Sequence, residues 1–166
     1  MNKIMLDLET MGNGTNAAII AIGAARFGNG EITDEFYTLV DLSSAVAAGL
    51  EMDASTVMWW MKQSDDARKQ FERDGIALKD ALKQFAEWIG KDAEVWGNGA
   101  AFDNAILSNA YRKCGIERPW KFWNDRCYRT VKSMHPDVKL VRQGIYHRAV
   151  DDAKSQADHL MRIISR

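Results

Sequence analysis

Lys3-Ile4-Met5-Leu6-Asp7-Leu8-Glu9-Thr10 is the stretch on which the reading of this chain turns. The apolar run Ile4-Met5-Leu6 suits a short buried strand, Lys3 to Asp7, and its end carries two acids two residues apart. Residues i and i+2 of a strand point to the same side, so Asp7 and Glu9 project together. Carboxylates at that spacing repel each other unless a cation lies between them, and hard oxygen donors favour Mg2+ or Mn2+. Such a pair is common by itself. Its meaning depends on what the rest of the chain brings to it.

Hydrophobic residues make up 46% of the 166 residues and charged residues 27%, which suits one compact domain, 1–166, with a real core. Only two prolines and no biased run argue against a long disordered linker. No apolar stretch approaches the ~20 residues of a membrane span. Met1-Asn2-Lys3-Ile4 leads straight into a strand and leaves no room for a signal peptide. Cys114 and Cys127 lack a Cys-x-x-Cys spacing and read as reduced thiols of a cytoplasmic protein. The net charge of −1 hides an uneven distribution: residues 1–110 hold 9 Lys/Arg against 17 Asp/Glu, residues 111–148 hold 10 against 3. A local basic segment can meet phosphates without a basic pI, and it can equally be a solvated surface.

Outward from the first strand, Ala17 to Phe27 is apolar and β-compatible, and Gly28-Asn29-Gly30 is a hairpin signal. Glu31 to Val40 alternates, with Ile32, Phe36 and Leu39 among polar neighbours. Residues 41–75 read as helix and loop, with Ser55 as N-cap of Thr56 to Met61 and Ser64 as a second N-cap before Asp65 and Asp66. Leu78, Leu82, Phe85, Ala86 and Ile89 form a helical stripe in Ala77 to Ile89, ended by Gly90. Ala93 to Trp96 is a fourth strand broken by Gly97-Asn98-Gly99, and helices are expected over Ala101–Lys113, Asn124–Met134 and Val150–Ile164. Strands first, then strands and helices mixed, predict an α/β layer fold around a mixed sheet.

Two later segments supply further acids. Asp103 follows the fourth strand and its glycine turn, in the first turn of a helix, where an acid also serves simply as a cap. His147-Arg148-Ala149-Val150-Asp151-Asp152 opens the last helix. Histidine is the side chain best suited to take a proton near neutral pH. In an α/β sheet such strand ends and helix starts converge at one edge. Carboxylates crowded into a water-accessible cleft need cations, and two divalent ions ~3.5–4 Å apart are the two-metal arrangement for phosphoryl transfer.

The motifs Asp7-x-Glu9, Phe102-Asp103 and His147-x-Ala149-x-x-Asp152, in that order, resemble the DEDDh 3′→5′ exonucleases of the DnaQ-like, ribonuclease-H-like superfamily. Histidine five residues before the last Asp marks DEDDh; DEDDy members would place Tyr four before it, where Arg148 stands, and Tyr146 fits neither register. The segment Ala48-Gly49-Leu50-Glu51-Met52-Asp53-Ala54-Ser55-Thr56-Val57-Met58-Trp59-Trp60 resembles the phage and prophage DexA-type exonucleases and the related mycobacterial exoribonuclease-like branch. The resemblance implies a ribonuclease-H-like mixed five-stranded sheet flanked by helices. It implies two divalent cations, Mg2+ or Mn2+, held by Asp7, Glu9, Asp103 and Asp152, with Asp7 shared between them. His147 is then the general base, and the products are 5′-mononucleotides.

By register Asp152 is the ligand and Asp151 an exposed helix-start acid. The substrate-contact candidates are Thr10 and Met11 through their backbone, Asn98, Phe102, Arg129 and Arg148; Arg126, Lys132, Lys139 and Arg142 are further candidates for the nucleic-acid backbone. Asn98-Gly99 stands where family members often carry His-Asn, and Phe102 suits either base stacking or the core. Asp125 is expected to fix local structure. Of Trp59 and Trp60, neighbours on a helix, one at most is expected to line the cleft. The expected partners are single-stranded DNA or RNA 3′ ends, DNA ahead of RNA, with no membrane and with a homodimer left open. The rivals are a non-cleaving nucleic-acid-binding domain, which the complete set of acids speaks against, a metal-dependent nucleotidase, which the basic segment speaks against, and a structural module with incidental acids.

Overall fold

Strand β1 (Asn2–Thr10) lies at the centre of a five-stranded sheet of order β3-β2-β1-β4-β5. The computed structural model describes residues 2–165; Met1 and Arg166, the two ends of the expected domain, lie outside the described residues. β1 runs antiparallel to β2 (Ile19–Gly28) and parallel to β4 (Ala93–Gly97). β2 pairs antiparallel with β3 (Glu31–Leu39), and β4 pairs parallel with β5 (Asp125–Cys127). The sheet is therefore mixed and five-stranded, and the fold is ribonuclease-H-like. Asn29 and Gly30 turn the hairpin with φ of 51° and 85°, the left-handed pair that a two-residue turn requires.

The pleat of β1 divides its side chains between two layers. Ile4, Leu6 and Leu8 face the larger core, where α4 (Leu78–Ile89) supplies Leu82, Phe85 and Ile89 and α5 (Asp103–Lys113) supplies Ile106, Leu107 and Tyr111. Full burial of such side chains contributes roughly 1.5–3 kcal/mol each. Met5 faces the other way, onto Ala153, Ala157, Leu160 and Met161 of α7 (Ala149–Ile164). Asp7 and Glu9 continue the Met5 side, so the same alternation that builds the core turns both acids toward the start of α7.

Glycine permits that approach. Asp7 pairs with Gly23 in the β1–β2 ladder. A Cβ on Gly23 would stand 2.2 Å from the Ala149 carbonyl carbon and 2.2 Å from the Val150 nitrogen. The first turn of α7 thus rests directly on the sheet, one strand over from Asp7.

Helices α1 (Leu42–Ala47), α2 (Ala54–Met61) and α3 (Asp65–Lys69) fill residues 41–75. Ser64 caps α3 through Ala67 N, as expected, but α2 begins after Asp53 rather than at Ser55. Asp53 turns its carboxylate to Asn13 N at 2.9 Å, so that helix has no side-chain cap. The expected helix Asn124–Met134 is also revised: a 3-10 turn at Phe122–Asn124 leads into β5, and only Tyr128–Met134 is helical (α6). Three residues are too few to show strand alternation, and pairing with Val95, Trp96 and Gly97 creates this strand. Among the described residues no helix is long and apolar enough to cross a membrane.

Candidate active site

A cleft of about 570 Å3 opens where β1 and β4 end and α5 and α7 begin. Asp7, Glu9 and Asp152 each turn a carboxylate oxygen into it, and these oxygens lie within 4.8 Å of one another. Asp103, only 3% exposed, stands beside them. Ladder pairing of β1 with β4 stops at Leu6–Gly97, and Asp103 Oδ1 then accepts the Leu8 N–H at 3.1 Å. The bond ties α5 to the backbone between the two β1 acids. Asp103 is therefore adjacent to the three-carboxylate group rather than a member of it.

Crowding and burial hold these acids far from their ordinary behaviour. Burial, then the charges of Asp103 and Asp152, raise Asp7 well above the usual carboxylate range. Burial, then Asp7, do the same to Glu9. Burial pushes Asp103 up to about 7, and burial raises Asp152 against the opposing pull of the His147 amide and Arg142. Arg142 makes the direct ion pair here, 2.8 Å from Asp152 Oδ1. A set of crowded, largely buried, oxygen-only donors with one direct cationic partner, Arg142, fits a hard divalent cation, and softer ligands are absent from the described cluster.

His147 lies at the mouth of the cleft with φ of 65°, a left-handed backbone rare for a residue with a side chain. Its amide donates to Asp152 Oδ2 at 2.9 Å. Its ring stacks on Tyr146 at 3.7 Å and meets the Trp59 ring edge-on at 4.8 Å. Burial, then Arg142, lowers the basicity of the imidazole, which keeps it neutral and able to accept a proton near pH 7.

Of the expected substrate contacts, Thr10, Asn98, Phe102 and Arg129 line this cleft. Phe102 also packs on the larger core. Arg129 donates to the Asn98 carbonyl at 2.9 Å. Met11 does not line it: its amide is spent on Ala18 and its carbonyl on Asp53. Arg148 also points away, over the Tyr37 ring at 4.8 Å and onto Asp151 at 3.3 Å. Arg126 pairs with Glu94, Lys132 lies over Tyr128 and Lys139 bonds the Pro136 carbonyl, so Arg129 and Arg142 are the basic-segment residues in the cleft.

Asp151 is not the exposed acid that the helix start suggested. It is 7% exposed, and its carboxylate accepts the Ile145 N–H at 3.0 Å, holding the loop before α7. Trp59 and Trp60 both line the cleft, against the expectation of one at most. Trp60 is buried and donates Nε1 to the Thr10 carbonyl at 2.9 Å, while Trp59 leans on His147. Asp125 is structural as expected, accepting from Asn104 and Trp120. Gln156 escaped the sequence reading: one turn after Asp152 on α7, it donates Nε2 to Asp7 Oδ1 at 2.8 Å. The i,i+4 spacing was its only signal.

A mixed sheet with acids on its central strand and at two helix starts, and a histidine five residues before the last acid, defines a DEDDh 3′→5′ exonuclease of the DnaQ-like class. The chain belongs to the Rv2179c-like 3′-5′ exoribonuclease domain family, whose model matches residues 2–164. It is 28% identical over 159 residues to the exodeoxyribonuclease of enterobacteria phage T4, covering 78% of this chain and 70% of the phage protein. A protein of Mycobacterium tuberculosis described as a putative bifunctional exonuclease/endonuclease is 29% identical over 184 residues, 98% of this chain but 26% of that one. The nuclease domain of 3′hExo, a DEDDh family member bound to rAMP, superposes with a TM-score of 0.65 at 16% identity, over 99% of this chain and 92% of that domain. DEDDh exonucleases generally use divalent metals.

Proposed function

We propose that this chain, read as one exonuclease domain over residues 1–166, removes 5′-mononucleotides from single-stranded 3′ ends with Asp7, Glu9, Asp103, Asp152 and His147 as its catalytic residues. The observation that carries the reading is the convergence of three carboxylate oxygens within 4.8 Å in a cleft that His147 also lines. Asp7, Glu9 and Asp152 would hold one Mg2+ or Mn2+, and Asp7 with Asp103 would support a second. Bound there, such ions lower the pKa of a water and neutralise charge on the phosphate.

The remaining work falls to this chain's own groups. The neutral imidazole of His147 takes a proton from the attacking water as its oxygen bonds to phosphorus and the P–O3′ bond breaks, and the leaving 3′-oxygen takes up a proton from the surrounding water to give the 3′-hydroxyl of the shortened strand. Arg129 and Arg142 line the cleft as cations for phosphate oxygens. Trp59, Tyr146 and Phe102 offer ring faces and edges to the terminal base, which suits a sequence-tolerant enzyme. All five catalytic residues come from one chain, so a homodimer is not required for this chemistry. DNA is favoured, in keeping with the phage exodeoxyribonuclease relative; RNA is the second reading, favoured by the description of the family.

The test is digestion of 5′-labelled DNA and RNA oligonucleotides with Mg2+ or Mn2+, and with EDTA as control. A ladder shortening from the 3′ end is expected. Intact oligonucleotide with cleaved mononucleotide would instead indicate a nucleotidase. His147→Ala and Asp103→Ala should each lower turnover at least ~10²-fold in folded protein. Near-normal turnover of either variant would sink the role given to that residue.

A further inference from the structure

His147 holds a backbone conformation that its own chemistry does not favour. A non-glycine residue with φ of 65° costs on the order of 1–3 kcal/mol and persists only where its surroundings over-determine it. Two bonds do so here, one on each side of the residue. The His147 N–H is taken by Asp152 Oδ2 at 2.9 Å, and the His147 carbonyl accepts from Gln70 Nε2 at 2.8 Å.

Gln70 is 77 positions away in sequence, at the start of the 3-10 turn Gln70–Glu72 that follows α3. It is itself fixed from two directions. Tyr37 of β3 donates its hydroxyl to Gln70 Oε1 at 2.8 Å, which turns the amide so that Nε2 faces His147. Nε2 also reaches the Ala67 carbonyl at 2.6 Å. The next residue, Phe71, packs edge-on against Trp60 at 5.2 Å, and Trp60 forms part of the cleft wall.

The loop leading to His147 has its own stitches to α7: Gln143 N to Ser155 Oγ at 2.9 Å and Ile145 N to Asp151 Oδ2 at 3.0 Å. These hold amides upstream of the residue, and on the N–H side of the His147–Arg148 peptide Arg148 N donates to the Ile145 carbonyl at 3.2 Å. Gln70 holds the carbonyl side of that peptide. If that carbonyl is released, ψ of His147 and φ of Arg148 change together, and the strained backbone of His147 can then relax and carry the ring out from between Tyr146 and Trp59.

We propose that Gln70 is a positioning residue for His147, acting from the α3 segment by clamping the carbonyl of the general base so that its left-handed backbone, and hence its ring, stays aimed at the cleft. The inference rests on the reading of His147 as the base. Gln70 itself does not line the cleft, and its direct bond to a cleft residue is the one to His147.

The test is a double-mutant cycle with a metal-binding readout. Gln70→Glu keeps the size of the side chain and removes the N–H donor; Gln70→Ala removes both. Each should lower kcat at least ~10-fold, because misplacement of a catalytic group by about 1 Å is costly. KM and the calorimetric affinity for Mn2+ should stay unchanged, and the melting temperature should confirm a folded protein. In the His147→Ala background neither substitution should lower kcat further. Normal kcat for Gln70→Glu beside an impaired His147→Ala would overturn the positioning role and leave the base assignment standing. An equal loss in both backgrounds, or weakened Mn2+ binding, would make Gln70 a structural residue and also overturn it. Undiminished turnover of His147→Ala alone would remove the reading on which both rest.

Discussion

Asp7→Asn is expected to lower turnover at least ~10³-fold while raising the melting temperature of the metal-free protein. The two effects have one cause. The charge of Asp7 meets those of the other acids: Asp103 and Asp152 both push its pKa up, and it in turn raises Glu9. Its folded pKa lies above the ordinary value of 3.8, so the folded state retains a proton that the unfolded chain gives up. The contribution to stability is therefore fully present below about pH 4 and is lost as pH rises through the raised folded values, Asp103's near 7 among them. At pH 8 in EDTA the wild type should melt lower than Asp7→Asn by on the order of 3 °C, and the gap should close toward pH 4. Adding Mn2+ should reverse the order, since a ligand that binds only the folded state stabilises it and the variant has lost a donor. Thermal melts at four pH values, with EDTA and with Mn2+, check this. A variant no more stable than wild type at pH 8 in EDTA would mean that the acids are compensated from within the protein and that no cation is called for. A site that destabilises the protein carrying it is what a stability–function trade-off predicts.

How far the sequence exposes this arrangement depends on what kind of signal each residue leaves. The acids are legible because strand parity and helix starts are local: Asp7 and Glu9 follow an apolar run by period two, and Asp103 and Asp152 begin helices whose stripes are visible. The Asn29-Gly30 turn is legible for the same reason, its φ values being written in its residue types. What stays hidden is made by pairing across the chain. β5 exists because Val95, Trp96 and Gly97 offer it an edge, not because Asp125-Arg126-Cys127 prefers a strand. Asp151 and Asp152 are adjacent acids of the same helix turn, and only the fold sends one to the Ile145 amide and the other to the cleft. Trp59 and Trp60 both reach the cleft because helix α2 ends against it and Trp60 is turned back to Thr10, a geometry that helix periodicity alone does not contain. Arg148 sits in the motif but faces Tyr37, whereas Arg142, six residues earlier in an irregular loop, faces the metal-ligand candidates. Basic residues in a loop carry no phase, so their targets cannot be read from spacing.

Gly23 is the extreme case of a residue with a functional consequence and no chemistry, and Gly23→Ala is expected to destabilise the chain strongly. The added methyl would sit 2.2 Å from the Ala149 carbonyl carbon and the Val150 nitrogen, and 2.7 Å from Ala149 Cβ. These are backbone atoms of a helix start and cannot yield by a rotamer change, so either β2 or α7 must move by about 1 Å or more. Overpacking of this kind costs about 3 kcal/mol, which lowers the melting temperature by roughly 6–12 °C in a chain of this size. Either shift moves the start of α7, which carries Asp152 and follows directly on His147, relative to Asp7, the ladder partner of Gly23. Turnover per folded molecule should therefore fall by about 10²-fold even at temperatures where the variant is fully folded. Gly28→Ala, on the same strand, is the control: a Cβ there meets nothing within 4 Å, and the substitution should leave both quantities near wild type. Calorimetry with activity measured 20 °C below each melting point separates the two effects. If Gly23→Ala melts like Gly28→Ala, the seat of α7 on the sheet is not fixed by close approach. If it melts low yet turns over normally when folded, the helix recovers its place and the catalytic geometry does not depend on Gly23.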